Sequence, residues 1–221
     1  MDNPSPLGLS RRALMRNGLL VGLGAIAALP ELAGTARAAN ADVRVAISVG
    51  TGPTYSCQAD WWYCVNCFGI YHSDDDTAGG VCPHGGKHQN DTSYFNYCIP
   101  HGGSNEATDE YGNGVQLGWR WCYKCQGLFW GSAAAESWCP DGQHHVVTST
   151  AYVYDLPYGQ PQLTWEPSGI IIYGQPGWLY CGKCRGLFFG HGTTSGGVCP
   201  YGGAHSQYSG SSNYCPIEYP G

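Results

Sequence analysis

Charge is scarce in this chain. Only 12% of its 221 residues are Asp, Glu, Lys or Arg, and ten Lys and Arg stand against sixteen Asp and Glu. A chain so poor in positive charge has no electrostatic means of tracking phosphates, which excludes nucleic acid and charge-driven adhesion to an anionic membrane. Long apolar runs are scarce as well. One occupies residues 18–29, and no later run approaches the roughly 20 residues that span a bilayer. Outside that run no segment sustains a helical period, which argues against a helical fold. Three residue classes are plentiful instead: 34 glycines, twelve cysteines, and Phe, Trp and Tyr totalling 29.

The apolar run follows Ser10-Arg11-Arg12-Ala13-Leu14-Met15 and ends at Pro30, and Ala36-Arg37-Ala38 then offers small residues for cleavage. This resembles a twin-arginine export signal, with Ala13 and Met15 where more polar residues are usual. The resemblance implies a leader at 1–38, export in a folded state, and a secreted or extracytoplasmic protein with no membrane insertion once the leader is removed. Removing 1–38 leaves six basic and fourteen acidic residues, a formal balance of −8.

The cysteines fall in a repeated pattern. Cys64 and Cys67 are followed by Cys82 and His88; Cys122 and Cys125 by Cys139 and His145; Cys181 and Cys184 by Cys199 and His205. The CxxC pairs lie 58 and 59 residues apart, and five residues always separate the third Cys from the His. Three thiols and one imidazole form the ligand set of a structural zinc site, so about three zinc ions per chain are expected. His84 and His144 are competing imidazoles, and register favours His88 and His145. The pattern extends beyond the ligands. Trp61, Trp119 and Trp178 stand three residues before the first Cys, Gly69, Gly127 and Gly186 two after the second, and Pro83, Pro140 and Pro200 directly after the third. Tyr97, Tyr154 and Tyr214 stand nine residues after the His. A self-similar unit of about 58 residues, present three times, is the signature of a repeat architecture.

Residues 61–214 resemble tandem Trp-x-[Trp/Tyr]-Cys-x-x-Cys-x-Gly-Leu-Phe…Cys-Pro-x-Gly-x-x-His repeats of secreted microbial proteins. The resemblance implies the repeat and carries no particular activity.

A disulfide framework is the competing reading of twelve cysteines in an exported chain. It leaves the His without a role and strands one thiol in the second repeat, which holds only three cysteines. Cys57, Cys98 and Cys215 lie outside the ligand pattern; Cys57 with Cys98 would bracket repeat one, and Cys98 with Cys215 would staple repeats one and three. A thiol–disulfide oxidoreductase would need an exposed thiolate at a helix N-terminus, which the aromatic, strand-like context does not offer.

The expected fold is β-rich with little helix, built of three pseudo-equivalent zinc-knuckle repeats. The order is an N-terminal strand segment at 39–60, repeat one at 61–98, a linker strand at 99–118, repeat two at 119–155, a second linker strand at 156–177, and repeat three at 178–221. Residues 43–49 alternate as a half-buried strand does, 114–121 and 170–173 lead into repeats two and three, and Tyr-rich strands end at Tyr97, Tyr154 and Tyr214. The N-terminal strand can close the three units into a ring.

Four protein ligands leave no open position on the metal, so the sites read as scaffold and no catalytic residue is assigned. Asp74-Asp75-Asp76 lacks the glycine and distal carboxylate of a calcium loop and reads as solvated. His101 and His191 read as surface residues in glycine-rich loops. One repeated position, held by His72, Trp130 and Phe189, alternates outward from the inward Tyr71, Phe129 and Phe188. Three outward rings on a rigid scaffold suit stacking on a glycan or cell-surface polymer, and burial between repeats is the alternative. The expectation is a secreted zinc-stabilised protein acting by binding or as a structural extracellular component. Its alternative is a disulfide-stapled protein with an enzymatic role, thiol redox or hydrolytic, or an inhibitory one.

Overall fold

A computed structural model describes residues 43–47, 54–74, 78–90, 96–103, 107–108, 114–159, 163–165, 170–172 and 174–219. The leader and Asp75 and Asp76 lie outside these residues. The fold is β-rich, and among the described residues the only helical element is a 3-10 turn at Gly131–Glu136, in the second repeat.

Each repeat begins with a lead-in strand and turns back on itself. Thr54–Tyr63 pairs with Ile70–His72, Gly114–Trp121 with Leu128–Trp130, and Trp178–Tyr180 with Leu187–Phe189, all antiparallel. Registers are equivalent: Trp61 faces His72, Trp119 faces Trp130, and Trp178 faces Phe189. Each hairpin is too small to bury its own apolar face, so the units must cover one another.

They do so in a closed cycle. A bridge joins Tyr71 of repeat one to Gly127 of repeat two, another joins Phe129 of repeat two to Gly186 of repeat three, and a third joins Phe188 of repeat three to Gly69 of repeat one. The backbone N–H groups of His72, Trp130 and Phe189 donate to the carbonyls of Gln126, Arg185 and Phe68 at 3.0, 2.9 and 2.8 Å. A second cycle links the segments that leave each repeat: Tyr154 pairs with His101, Tyr158 with Tyr214, and Ile217 with Cys98. The strand Val43–Ile47 adds a bridge of its own, lying between Thr54–Tyr63 and Leu163–Trp165. The repeat-to-repeat cycle is therefore made by the knuckles and exit segments, and the N-terminal strand extends the sheet beside them.

Between the two cycles lies an aromatic core. Trp61, Trp119 and Trp178 are fully buried. Each meets the edge of a tyrosine from another repeat, Tyr154, Tyr214 and Tyr97 respectively, with ring centroids 5.1, 5.0 and 5.3 Å apart. Edge-to-face packing of this kind adds about 0.5–1.5 kcal/mol per pair beyond area burial. The tyrosine hydroxyls are satisfied by three glutamines: Tyr97 donates to Gln175 at 2.7 Å, Tyr214 to Gln116 at 2.5 Å, and Tyr154 to Gln58. Gln116 and Gln175 also accept from the indole N–H of their own repeat's tryptophan at 3.2 and 3.0 Å. Gln58, Gln116 and Gln175 were legible as a Gln three residues before each Trp, a repeated position that the sequence reading passed over.

Tyr97 and Tyr154 stand at the start of exit strands rather than at their end, and Tyr214 makes isolated bridges ahead of the strand Ile217–Glu218. Asn96–His101 and Tyr154–Tyr158 run onward because the residues after the tyrosine are buried, and the later chain of repeat three pairs at Ile217–Glu218. His101 is consequently a core residue, 6% exposed and stacked on Tyr152 at 3.9 Å, rather than a surface loop histidine.

Cys57 and Cys98 form a disulfide, which selects one of the two pairings that sequence left open and closes a loop of 41 residues' separation around repeat one. Chain entropy values such a loop at about 4 kcal/mol. Cys215 keeps its thiol, buried, pushed up to about 12 by desolvation and donating to the Gly159 carbonyl at 2.7 Å.

Repeat two places Asp155 where the others carry Cys98 and Cys215. Its carboxylate is 1% exposed, accepts the Gly103 N–H at 2.6 Å through Oδ2, and leaves Oδ1 buried without a hydrogen-bond partner. Burial raises its pKa from 3.8 to about 6. The native state thus holds a proton that the unfolded chain has already released between these values, and stability falls as pH rises through that window. Above it the ionised carboxylate costs on the order of 3 kcal/mol. Asp155→Asn is expected to stabilise the zinc-loaded protein by that amount at pH 8, and by little near pH 4. Urea unfolding of both proteins across pH checks this; a constant difference would refute it.

Candidate metal centres

Each lead-in strand delivers its first cysteine to the start of a tight turn. The N–H groups of Phe68, Gln126 and Arg185, the residues after the second cysteine, reach back to the carbonyls of Cys64, Cys122 and Cys181 at 2.8, 2.7 and 3.0 Å. These three residues take the left-handed conformation, with φ of 67°, 61° and 67°. The glycine that follows does not. Its α-carbon lies beside the second sulfur, where an added Cβ would sit 3.5 Å from Sγ in every repeat, and it is the point at which the neighbouring repeat bridges.

The third cysteine opens a Cys-Pro-x-Gly turn. Gly85, Gly142 and Gly202 donate to the carbonyls of Cys82, Cys139 and Cys199 at 2.9, 3.0 and 2.9 Å, with φ of 108°, 85° and 114°. Proline presets the second position of such a turn and glycine suits its fourth. The chain then returns the histidine to the cluster.

The three clusters superpose in their distances. Cys64 and Cys82, Cys122 and Cys139, and Cys181 and Cys199 each bring their sulfurs to 3.9 Å. Cys67, Cys125 and Cys184 stand 3.4 Å from Nδ1 of His88, His145 and His205. A tetrahedron with Zn–S near 2.3 Å and Zn–N near 2.0–2.1 Å requires about 3.8 Å between sulfurs and about 3.6 Å from sulfur to nitrogen. The donor set and its spacing therefore fit zinc, and each buried Cys3His group can hold one ion. The imidazole choice is resolved. His84 is exposed, and His144 uses Nδ1 to donate to the Ser137 carbonyl at 2.6 Å.

Tyr71, Phe129 and Phe188 point inward as alternation requires, and each stacks on the ligand histidine of its own repeat at 4.9, 4.5 and 4.9 Å. The stacking holds the imidazole plane, a task more often given to a hydrogen bond on the second ring nitrogen. Nε2 of His88 and of His205 has no hydrogen-bond partner.

Electrostatics make the same point. Hydrogen bonds from the neighbouring thiols pull the first cysteine of each site far below the ordinary thiol range. That thiolate in turn pushes the third cysteine up to about 11. Three thiols this close cannot all ionise together without a cation, and a bound dication reverses that logic. The CxxC thiols are at most 2% exposed, which does not suit a redox pair. Among the described residues one disulfide is present, so the disulfide framework is not the organising device.

The three centres converge. The second cysteine, its glycine, the following Ile70, Leu128 or Leu187, the proline and the histidine of all three repeats line one small apolar cavity of about 40 Å³.

His72, Trp130 and Phe189 do not form a freely outward surface. They point away from their own knuckle, but the next repeat docks its CxxC turn against their backbone N–H groups, which leaves the side chains half-buried between repeats. His72 and Trp130 line open clefts of about 450 and 320 Å³. Phe189 is covered by Tyr63 and His191, with ring centroids 6.0 and 4.5 Å away.

No known protein family, curated protein or solved structure matches this chain.

Proposed function

We propose that the protein acts by binding, as a secreted zinc-stabilised repeat protein whose ligand is a glycan or cell-surface polymer. The observation that carries this reading is the pair of clefts between repeats. Both fall within the roughly 300–1,000 Å³ of small-ligand sites, and both combine aromatic rings with fixed polar groups. The metal centres support it indirectly: each offers four buried protein ligands and would leave a bound ion no open position, so their contribution is to hold the clefts in shape. Export follows from the twin-arginine-type leader, and folding before export suits a chain whose thiols must meet metal while reduced.

The test uses purified protein with its full zinc complement. Retention on at least one of chitin, cellulose or isolated bacterial cell wall is expected, with release by soluble fragments of the same polymer. Absence of retention on all three, together with no signal on a glycan array, would sink the reading.

A further inference from the structure

The three junctions between repeats are built from the same five positions but differ in chemistry. Between repeats one and two they are Gln58, His72, Trp121, Gln126 and Tyr154. Between repeats two and three they are Gln116, Trp130, Tyr180, Arg185 and Tyr214. Between repeats three and one the corresponding residues are Gln175, Phe189, Tyr63, Phe68 and Tyr97.

The third junction is covered by its own side chains, with His191, exposed on its outer face as expected of a surface loop residue, laid over it. His191 packs against Phe68 and Phe189 with ring centroids 4.7 and 4.5 Å away, and its Nε2 meets the Tyr63 hydroxyl at 2.7 Å. The equivalent positions in repeats one and two are Asp74 and Ser132, which carry no ring. His191 is held in the left-handed region, φ 50°, so the backbone is bent to deliver this plug.

The open junctions show the reverse. In the first, Nε1 of Trp121 and Nε2 of His72 are buried without a hydrogen-bond partner, the nearest carboxylate oxygen of Asp74 being 3.6 Å from the imidazole. In the second, Nε of Arg185 is likewise buried and unpartnered, while its terminal nitrogen is paired with Glu136 at 2.8 Å. Buried polar atoms without partners are destabilising, and a polar ligand that pairs with them removes that cost.

Charge narrows the class of ligand. Among the described residues the first cleft sets Asp74 against Lys87, with the Asp60 carboxylate also acting on His72, and the second sets Glu136 against Arg185. Neither gathers an excess of positive charge among these residues, which argues against an anionic ligand. Gln58 and Gln126 in the first cleft, and Gln116 with the Arg185 guanidinium in the second, offer polar groups, and indole and phenol rings offer apolar faces. A neutral pyranose, with hydroxyls around an apolar ring face, matches this combination.

We propose that the repeat one–two and repeat two–three clefts are two non-identical subsites for neutral pyranose units of a glycan, and that the third junction is closed by the His191 plug. This rests on the glycan-binding reading above and adds the place, the number and the charge class of the sites.

The test follows the tryptophan indole N–H resonances of the zinc-loaded, ¹⁵N-labelled protein during titration with chitotriose, cellotriose, xylotriose and maltotriose. Two binding events are expected with at least one of these probes, one moving the Trp121 resonance and the other Trp130. Trp121→Phe, followed by titration calorimetry because it lacks the reporting indole, keeps an aromatic ring and removes the donor, and should weaken the first event about five- to tenfold while leaving the second. Arg185→Lys should weaken the second by a similar factor and leave the first. Both changes are conservative, and an unchanged zinc content of each variant confirms that it has folded. Binding that both variants leave intact would overturn the cleft assignment while the glycan reading stands. Retention on a polymer with no indole shift from any probe would also overturn the clefts alone. Failure of both retention and titration would remove the reading and the subsites together.

Discussion

Chelation of the purified protein at neutral pH should release about three zinc ions per chain and abolish the near-ultraviolet circular dichroism of its tryptophans. The expectation rests on how little else holds each repeat. A knuckle contributes two short strands and two turns, and its sulfurs are buried within 2% of complete exclusion from solvent. Without the ion, three thiols at hydrogen-bonding distance share one favoured thiolate, and that charge is left in an apolar shell. Structural Cys/His zinc sites bind with apparent free energies of about 10–16 kcal/mol, comparable to or above the 5–15 kcal/mol by which whole domains are stable. Losing three such sites leaves the apoprotein net unstable. The tryptophans report the loss because Trp61, Trp119 and Trp178 are buried only where one repeat meets another. Acid should act in the same direction, since protons compete with metal for nine thiolates. Metal analysis alongside the circular dichroism checks both halves. Full zinc removal with an unchanged tryptophan spectrum would show that the fold does not need its metal.

The ligand set was legible in the sequence because spacing repeats where composition does not: three copies of one register cannot be mistaken for scattered cysteines. The choice of His88 over His84 and His145 over His144 followed from the same register. The inward ring at Tyr71, Phe129 and Phe188 was legible from strand alternation, but its partner was not. Alternation says which face a side chain leaves by, and only the fold says that a ligand imidazole lies there. Whether His72, Trp130 and Phe189 face solvent or bury between repeats was not legible for the same reason. A strand of three residues has its outward face defined by whatever docks beside it, here the CxxC turn of the next repeat. Tyr97, Tyr154 and Tyr214 were legible as repeated positions, yet the first two stand at the start of strands and the third makes only isolated bridges. What continues those strands is a run such as Cys98-Ile99-Pro100, whose burial depends on pairing with chain more than a hundred residues later. The Cys57–Cys98 pairing is a contact between neighbouring strands and had no local signature.

Repetition with departures carries the functional content. The knuckle positions are nearly identical in all three units, whereas the position seven residues after the second cysteine reads Asp74, Ser132 and His191. The shared part builds a ring, and on the subsite proposal the variable part decides which junction stays open. A protein assembled in this way can lose or alter one cleft without disturbing its metal centres, provided that the ring itself remains closed.

That closure can be tested at one atom. Gly197 sits in the left-handed region, φ +58°, and a Cβ built on it would lie 2.0 Å from the Cys67 carbonyl oxygen. The obstacle is backbone of repeat one, fixed by its own zinc knuckle, so neither side can yield cheaply. Next to it, the Val198 N–H donates to that same carbonyl at 3.2 Å. Gly197→Ala should therefore break the repeat three–one junction and cost about 3–5 kcal/mol, the sum of left-handed strain and backbone overpacking. Gly203→Ala supplies the control. It lies in the same repeat with φ +66° and has nothing within 4 Å of the added carbon, so it should cost only the strain, about 1 kcal/mol. Urea unfolding at fixed free zinc measures both, and faster zinc transfer to a chelator from the Gly197→Ala protein would show the ring opening directly. Equal losses for the two variants would mean that the knuckles do not close the ring. Gly80 makes the same prediction at the repeat one–two junction, where an added Cβ would meet the Cys125 carbonyl oxygen at 2.0 Å. Repeat two carries Ser137 at this position. Its preceding loop is one residue shorter and coils into the 3-10 turn Gly131–Glu136, so the serine hydroxyl bonds inward to the Ala134 carbonyl at 2.6 Å. The Trp138 N–H still reaches the Cys184 carbonyl at 3.2 Å, which keeps the third contact of the cycle without the glycine.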